Sequence, residues 1–61
     1  MTKIFGSVYV VTDNTTVRII DAGLVTDCYF CTEKELAQVE IATSIEEVRS
    51  AIKSALRSEI V

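Results

Sequence analysis

Histidine occurs nowhere among the 61 residues of this chain. Imidazole is therefore excluded both as a general base and as a metal ligand. Proline is also absent, and the chain has only two glycines and two cysteines. Serine, threonine and cysteine nucleophiles have no histidine to activate them, and no lysine stands out as a desolvated base. The sequence therefore predicts a protein that is not an enzyme and that needs no metal or other cofactor.

Length and charge further limit the possible domain organisation and the possible partners. A chain of 61 residues forms a single domain, 1–61, near the lower size at which a domain is stable alone. It has 49% hydrophobic and 25% charged residues, which is typical of an ordered chain. The net charge of −3 makes nucleic acid an unfavourable partner, because phosphate binding needs a positive field. Without a membrane-spanning apolar run or an export signal, we expect a cytoplasmic protein that does not bind membranes.

The first half of the chain has the composition of β-strands. Residues 3–12 are rich in β-branched and aromatic types and predict one strand, and residues 16–20 predict its return strand. Asp13 and Asn14 form the predicted turn of this hairpin, because both tolerate left-handed backbone. Residues 24–32 supply a third β-prone run.

The predicted hairpin has one apolar face and one mixed face. A turn centred between Asp13 and Asn14 places Val10 opposite Val17, and a slip by one residue would exchange the faces. The apolar face then carries Ile4, Val8, Val10, Val17 and Ile19. The mixed face carries Phe5, Ser7, Tyr9, Val11, Thr16, Arg18 and Ile20.

Two later segments have the residues that begin helices. Ser44 with Glu47 predicts a capping box and a C-terminal amphipathic helix of about four turns. The apolar positions of this helix are Val48, Ile52, Ala55 and Leu56. Thr32 with Glu35 fits the same box, yet the apolar residues of 33–42 alternate with polar ones. We predict a fourth short strand there, with a helix as the alternative.

These elements predict an α+β fold. Its antiparallel sheet has three to four strands, starting with the N-terminal β-hairpin, and the one C-terminal amphipathic helix packs on one face. A single helix cannot cover both faces of a sheet in so small a chain. The mixed face and the sheet edges therefore predict a homo-oligomer, and we favour a dimer.

Cys28 and Cys31 have the spacing of redox and zinc motifs. A redox pair of this kind sits at a helix N-terminus, whereas these cysteines lie in a strand-like run, where residues three apart point to opposite faces. Structural zinc needs four ligands, so a metal would have to be shared by two chains. We expect ordinary reduced cysteines, at least one of them buried, and keep a zinc-bridged or redox-responsive dimer as an alternative.

The leading functional hypothesis is a small non-enzymatic binding protein. It would be an oligomeric inhibitor or regulator of a larger cytoplasmic protein, of the kind common in phages and mobile elements. An acidic surface would occlude a basic site on the target. The acidic residues expected on this surface are Asp27, Glu33, Glu35 and Glu40.

The predicted partner-binding residues come from the sheet and from the predicted helix. Arg49, Lys53 and Arg57 are spaced by four and would form a basic stripe along the helix. The full set is Phe5, Tyr9, Val11, Arg18, Arg49, Lys53 and Arg57. A second hypothesis is an oligomer that binds a nucleotide-like small ligand through Tyr9, Arg18 and Tyr29.

Overall fold

The computed structural model describes residues 1–58 of the chain. Within them, five antiparallel strands form one sheet in the order β1-β2-β3-β4-β5, and two helices lie between the fourth and fifth strands. The predicted α+β class is confirmed, whereas the three to four strands and the single C-terminal helix are wrong. The elements are β1 (Thr2–Phe5), β2 (Val8–Asp13), β3 (Thr16–Asp21), β4 (Leu24–Phe30), α1 (Glu33–Ile41), α2 (Ile45–Ala51) and β5 (Leu56–Arg57).

A turn at Gly6 divides the predicted first strand into β1 and β2. Gly6 has a φ of 66°, in the left-handed region that glycine adopts without steric cost. The chain reverses there, so Phe5 lies opposite Val8 and Ile4 lies opposite Tyr9. Directly opposed residues of an antiparallel pair share a face of the sheet. The predicted faces of Phe5 and Ile4 are therefore exchanged.

The hairpin of β2 and β3 closes one residue later than predicted. Its two-residue loop is Asn14 and Thr15, and Asn14 has a φ of 52°. Val10 consequently pairs with Ile19 rather than with Val17. This change moves each partner by two residues, so every side chain of the hairpin keeps its face. The predicted pairing is wrong, but the grouping of Val10, Val17 and Ile19 on one face is right.

The segment after β4 is helix α1 rather than the predicted fourth strand. The Thr32 hydroxyl accepts a hydrogen bond from the Glu35 N–H at 3.2 Å, and the Glu35 carboxylate accepts one from the Thr32 N–H at 2.8 Å. This capping box satisfies backbone donors that the first helical turn leaves without partners. Of the alternating apolar residues, only Val39 is buried, while Ala37 and Ile41 are exposed. A half-buried strand would have buried all three.

Helix α2 begins at the predicted residue but has only seven residues. The Ser44 hydroxyl accepts a hydrogen bond from the Glu47 N–H at 3.2 Å, while the Glu47 carboxylate accepts hydrogen bonds from Thr43. The chain turns after Ala51, and β5 then pairs with the end of β4. The predicted four-turn helix is wrong because Leu56 and its neighbours form sheet hydrogen bonds instead of helical ones.

The core lies between the sheet and the two helices. It is closed at one edge by Lys3, whose Nζ donates a hydrogen bond to the Glu40 carbonyl at 2.7 Å, in the last turn of α1. A positive charge there suits the negative end of the helix dipole. The buried core residues are Val10, Val17, Ile19, Cys31, Val39, Ala42, Val48 and Ile52. The helices cover one face of the sheet, whereas the other face bears most of the exposed large hydrophobic side chains of residues 1–58, although Cys28 on it is buried.

Candidate functional site

The uncovered face of the sheet is the candidate binding surface, called the open sheet face below. Strand pairing arranges its side chains in three rows that run across the strands. The first row is Ile4, Tyr9, Ile20 and Val25, and each residue lies directly opposite the next. The middle row is Thr2, Val11, Arg18 and Cys28. The third row is Asp13, Thr16, Phe30 and Leu56.

A β-bulge in β4 places residues of the first and middle rows on the same face of the sheet. The pairing of β3 with β4 shifts between Ile19 and Ile20, where Thr26 is the extra residue of a β-bulge. The Thr26 hydroxyl donates a hydrogen bond to the Ile19 carbonyl at 3.3 Å and fixes the bulge. Val25 and Cys28 therefore share the open sheet face although they are three residues apart.

The first row is apolar, and the third row ends in two apolar side chains, those of Phe30 and Leu56. Eight large hydrophobic side chains are exposed within residues 1–58, and five of them lie on the open sheet face. Ile4 is 60% exposed and Leu56 is 71% exposed. The other three are Tyr9, Val25 and Phe30. Clusters of exposed apolar side chains of this kind mark interaction sites in soluble proteins.

The strand residues of the open sheet face carry only two charges. Arg18 lies in the middle row, directly opposite Val11, and is exposed. Asp13 lies at the end of β2 in the third row and is also exposed. Neither side chain belongs to an ion pair within the part of the chain that the structure describes. The open sheet face is thus neutral as a whole, although the chain has a net charge of −3.

Three of the predicted partner-binding residues come together on the open sheet face, namely Tyr9, Val11 and Arg18. Phe5 does not join them. It is half-buried and packs against the core on the helix-covered face. Its predicted placement on the mixed face is wrong because the turn at Gly6 reverses the chain immediately after it.

The predicted basic stripe does not form, because α2 ends at Ala51. Arg49 is exposed on α2, and Lys53 is exposed in the turn that follows. Arg57 lies on β5, where its Nη2 is 3.1 Å from Oδ1 of Asp27. The three positive side chains therefore sit on three different elements, and the predicted stripe is wrong.

Four of the five exposed apolar residues of the open sheet face are absent from the predicted partner-binding set. Ile4 is predicted on the opposite face because residues 3–12 are predicted as one strand, although a glycine between two β-prone runs is a turn signal. Leu56 is predicted in a helix. The predicted faces contain only hairpin residues, so neither Phe30 nor Val25 is on either of them.

The two cysteines are free, buried and on opposite faces of the sheet. Cys31 belongs to the core, whereas Cys28 lies in the middle row of the open sheet face, outside the core cluster. Burial, together with the nearby Glu35 and Cys28, raises the pKa of the Cys31 thiol to about 11. Such a thiol is protonated at neutral pH and is a poor nucleophile. Residues 1–58 contain no group of three or more Cys, Asp or Glu side chains placed to hold a metal ion.

The three side chains predicted to bind a small ligand, those of Tyr9, Arg18 and Tyr29, do not come together. Tyr29 packs against the core, so it lies on the other side of the sheet from Tyr9 and Arg18. A cleft of about 490 Å³ lies between α1 and α2. Two carboxylates in its lining, those of Glu35 and Glu47, already accept the hydrogen bonds that cap the helices.

No family of known proteins, no curated protein and no solved structure matches this chain. Among residues 1–58, neither helix has the length and apolar character needed to cross a membrane.

Proposed function

We propose that this chain is a non-enzymatic binding protein, an inhibitor or regulator that uses the open sheet face to occlude a site on a larger cytoplasmic protein. The supporting observation is the concentration of five exposed large hydrophobic side chains on one face of the sheet. The opposite face is covered by the helices. An apolar surface of this kind gains free energy when a partner removes it from water.

The shape and charge of the open sheet face favour a protein as the partner. Small ligands bind in concave pockets, whereas a sheet face is broad and shallow. Nucleic acid binding needs several positive side chains, and Arg18 is the single one among the strand residues of this face. Protein interfaces, in contrast, combine an apolar centre with a few polar groups at the rim.

The apolar side chains supply a moderate driving force. Complete burial of a large hydrophobic side chain is worth about 1.5–3 kcal/mol, so each half-exposed side chain contributes on the order of 1 kcal/mol. Five such side chains give about 5 kcal/mol, which is similar to the lower estimates of the free energy lost on association. Hydrogen bonds and ion pairs at the rim therefore decide which partner binds.

The acidic residues that were expected to contact a target lie away from the open sheet face. Asp27 pairs with Arg57, and Glu35 belongs to the capping box of α1. Glu33 and Glu40 are exposed on α1, in the layer that covers the other side of the sheet. The proposed contact is mainly apolar, so we expect its affinity to depend only weakly on salt concentration.

Two isoleucines provide a matched test of this proposal. Ile4 is 60% exposed on the open sheet face, and Ile41 is 69% exposed on α1. Wild type, Ile4→Glu and Ile41→Glu are immobilised and exposed to extract of the cells that express the chain. We expect wild type and Ile41→Glu to retain the same protein, and Ile4→Glu to lose it. Equal retention by all three forms would refute a role for the open sheet face.

A further inference from the structure

We infer that a second copy of this chain covers the open sheet face when no other protein is bound. The two copies form a two-fold symmetric dimer in which Asp13 of each chain pairs with Arg18 of the other. This inference rests on the proposed function insofar as both use the same face. It adds that self-association competes with target binding, so the dimer must dissociate before a target can bind.

The size of the open sheet face suits a small dimer. The five strands contain 25 residues in all, because β5 has only two and β1 only four. Each residue takes about 3.3 Å along its strand and about 4.8 Å across the sheet, so the flat area of the face is about 400 Å² per chain. The accessible area is larger because side chains make the surface uneven. Two copies therefore bury on the order of 800–1,000 Å², which is typical of weak or transient interfaces.

Charge complementarity identifies the second copy as the occupant. The chain has a net charge of −3, so two copies repel each other over most of their surfaces. The open sheet face is an exception, because Arg18 and Asp13 balance each other. A two-fold interface pairs residue i of one chain with residue j of the other, and j with i. One positive and one negative side chain on the same face meet this requirement.

The positions of the two charges allow this pairing. Arg18 lies opposite Val11, and Asp13 is two residues further along β2, about 7 Å away. A two-fold axis that passes between Arg18 and Asp13 places each of them against the opposite charge of the other chain. Packed sheets lie about 10 Å apart, a gap that an arginine and an aspartate bridge together. Phe30 then lies beside the axis and packs next to the ion pairs, and Ile4 and Leu56 lie towards the two ends of the axis. The rest of the first row lies to one side of it.

Charge exchange tests this arrangement. In Asp13→Arg both residues of the pair are positive, and in Arg18→Asp both are negative, so each variant puts like charges together twice in a homodimer. We expect each single variant to have a dimer dissociation constant raised about tenfold or more, since two attractive pairs become repulsive. The double variant D13R/R18D should dimerise like wild type. An equimolar mixture of the single variants should form the heterodimer in preference to either homodimer.

Sedimentation equilibrium gives the dissociation constants, and native mass spectrometry separates heterodimer from homodimers by mass. Arg49→Asp is the matched control for Arg18→Asp, because it makes the same charge change at an exposed position of α2 and should leave dimerisation unchanged. Neither the Asp13 nor the Arg18 side chain has an ion pair within residues 1–58, so the variants should fold. Circular dichroism checks this for each variant. A statistical mixture of dimers, or no effect of either single variant, would overturn the Asp13–Arg18 pairing.

The outcome also separates this inference from the proposed function. If wild type stays monomeric up to about 100 µM while Ile4→Glu still loses the captured protein, the dimer is refuted and the proposed function stands. If wild type dimerises with the predicted charge dependence while all forms capture the same proteins, the dimer stands and the proposed function is refuted. If neither effect is seen, both are wrong.

Discussion

Two adjacent isoleucines of β3 provide a quantitative test of the assigned sheet faces. Ile19 is fully buried beneath the helices, and Ile20 is half-buried on the open sheet face. Replacement by valine removes one methylene and keeps the branched Cβ, so strand preference changes little. At Ile19 the lost burial and the small cavity should lower the free energy of unfolding by about 1 kcal/mol. At Ile20 the side chain already touches water, so we expect less than half of this loss.

Urea unfolding followed by circular dichroism at low micromolar protein concentration measures both losses. A loss of about 1 kcal/mol corresponds to a fall in Tm of roughly 4–8 °C in a domain of this size, so thermal unfolding gives an independent check. Wild type, Ile19→Val and Ile20→Val should have the same m-value, since all three expose similar surface on unfolding. An equal or larger loss for Ile20→Val would refute the assignment of the covered and open faces.

Two further predictions concern titratable groups. Hydrogen bonds from the Thr43 N–H and hydroxyl lower the pKa of Glu47 below its ordinary value of 4.5, so these bonds stabilise the fold above that pH and their contribution is lost as the pH falls through the lowered pKa. Glu47→Gln should therefore lose less stability than wild type when urea midpoints are measured from about pH 6 down to pH 3, and identical pH dependence would contradict the assigned bonds. The raised pKa of Cys31, about 11, leaves roughly a thousandth of this thiol ionised at pH 8, so iodoacetamide should alkylate Cys31 at least about a hundredfold more slowly in the folded chain than in denaturant. Peptide mass spectrometry assigns the rate to Cys31, and similar rates in the two states would show that Cys31 is not buried.

The sheet faces of the hairpin were predictable because alternation is a local property. Val10, Val17 and Ile19 keep their common face whether the loop closes one residue earlier or later, since both alternatives preserve the period of two. The turn at Gly6 was missed because a single glycine interrupts an otherwise continuous β-prone run. That one residue decides the faces of Ile4 and Phe5.

The C-terminal error has a different physical origin. Val48, Ile52 and Leu56 fit a helical period, and only the pairing of β5 with β4 reveals that the helix stops at Ala51. This pairing joins residues far apart in the sequence, and tertiary contacts of this kind override local preference. For α1 the opposite holds, because the local capping box at Thr32 was the better guide and the short alternation after it was misleading.

The residues of the candidate site likewise divide into those that a local pattern predicts and those that depend on distant strand pairs. Tyr9, Val11 and Arg18 belong to one local hairpin, and their common face was predicted correctly. Phe30 joins them through the pairing of β3 with β4, and Leu56 through the pairing of β4 with β5, neither of which the sequence reveals. That one sheet face is left for association stays a prediction, and the apolar residues of that face depend on the complete sheet.

We propose that another protein surface covers the open sheet face in solution. The most direct measurement is the broadening of methyl NMR signals by a soluble paramagnetic agent, with Ile41 as an internal reference for a side chain that stays in water. At high protein concentration, we expect strong broadening for Ile41 and weak broadening for Ile4 and Leu56, although the single chain leaves all three at least 60% exposed. Dilution should restore the broadening of Ile4 and Leu56. Equal broadening of the three side chains at every concentration, and equally in the presence of any captured protein, would contradict the claim.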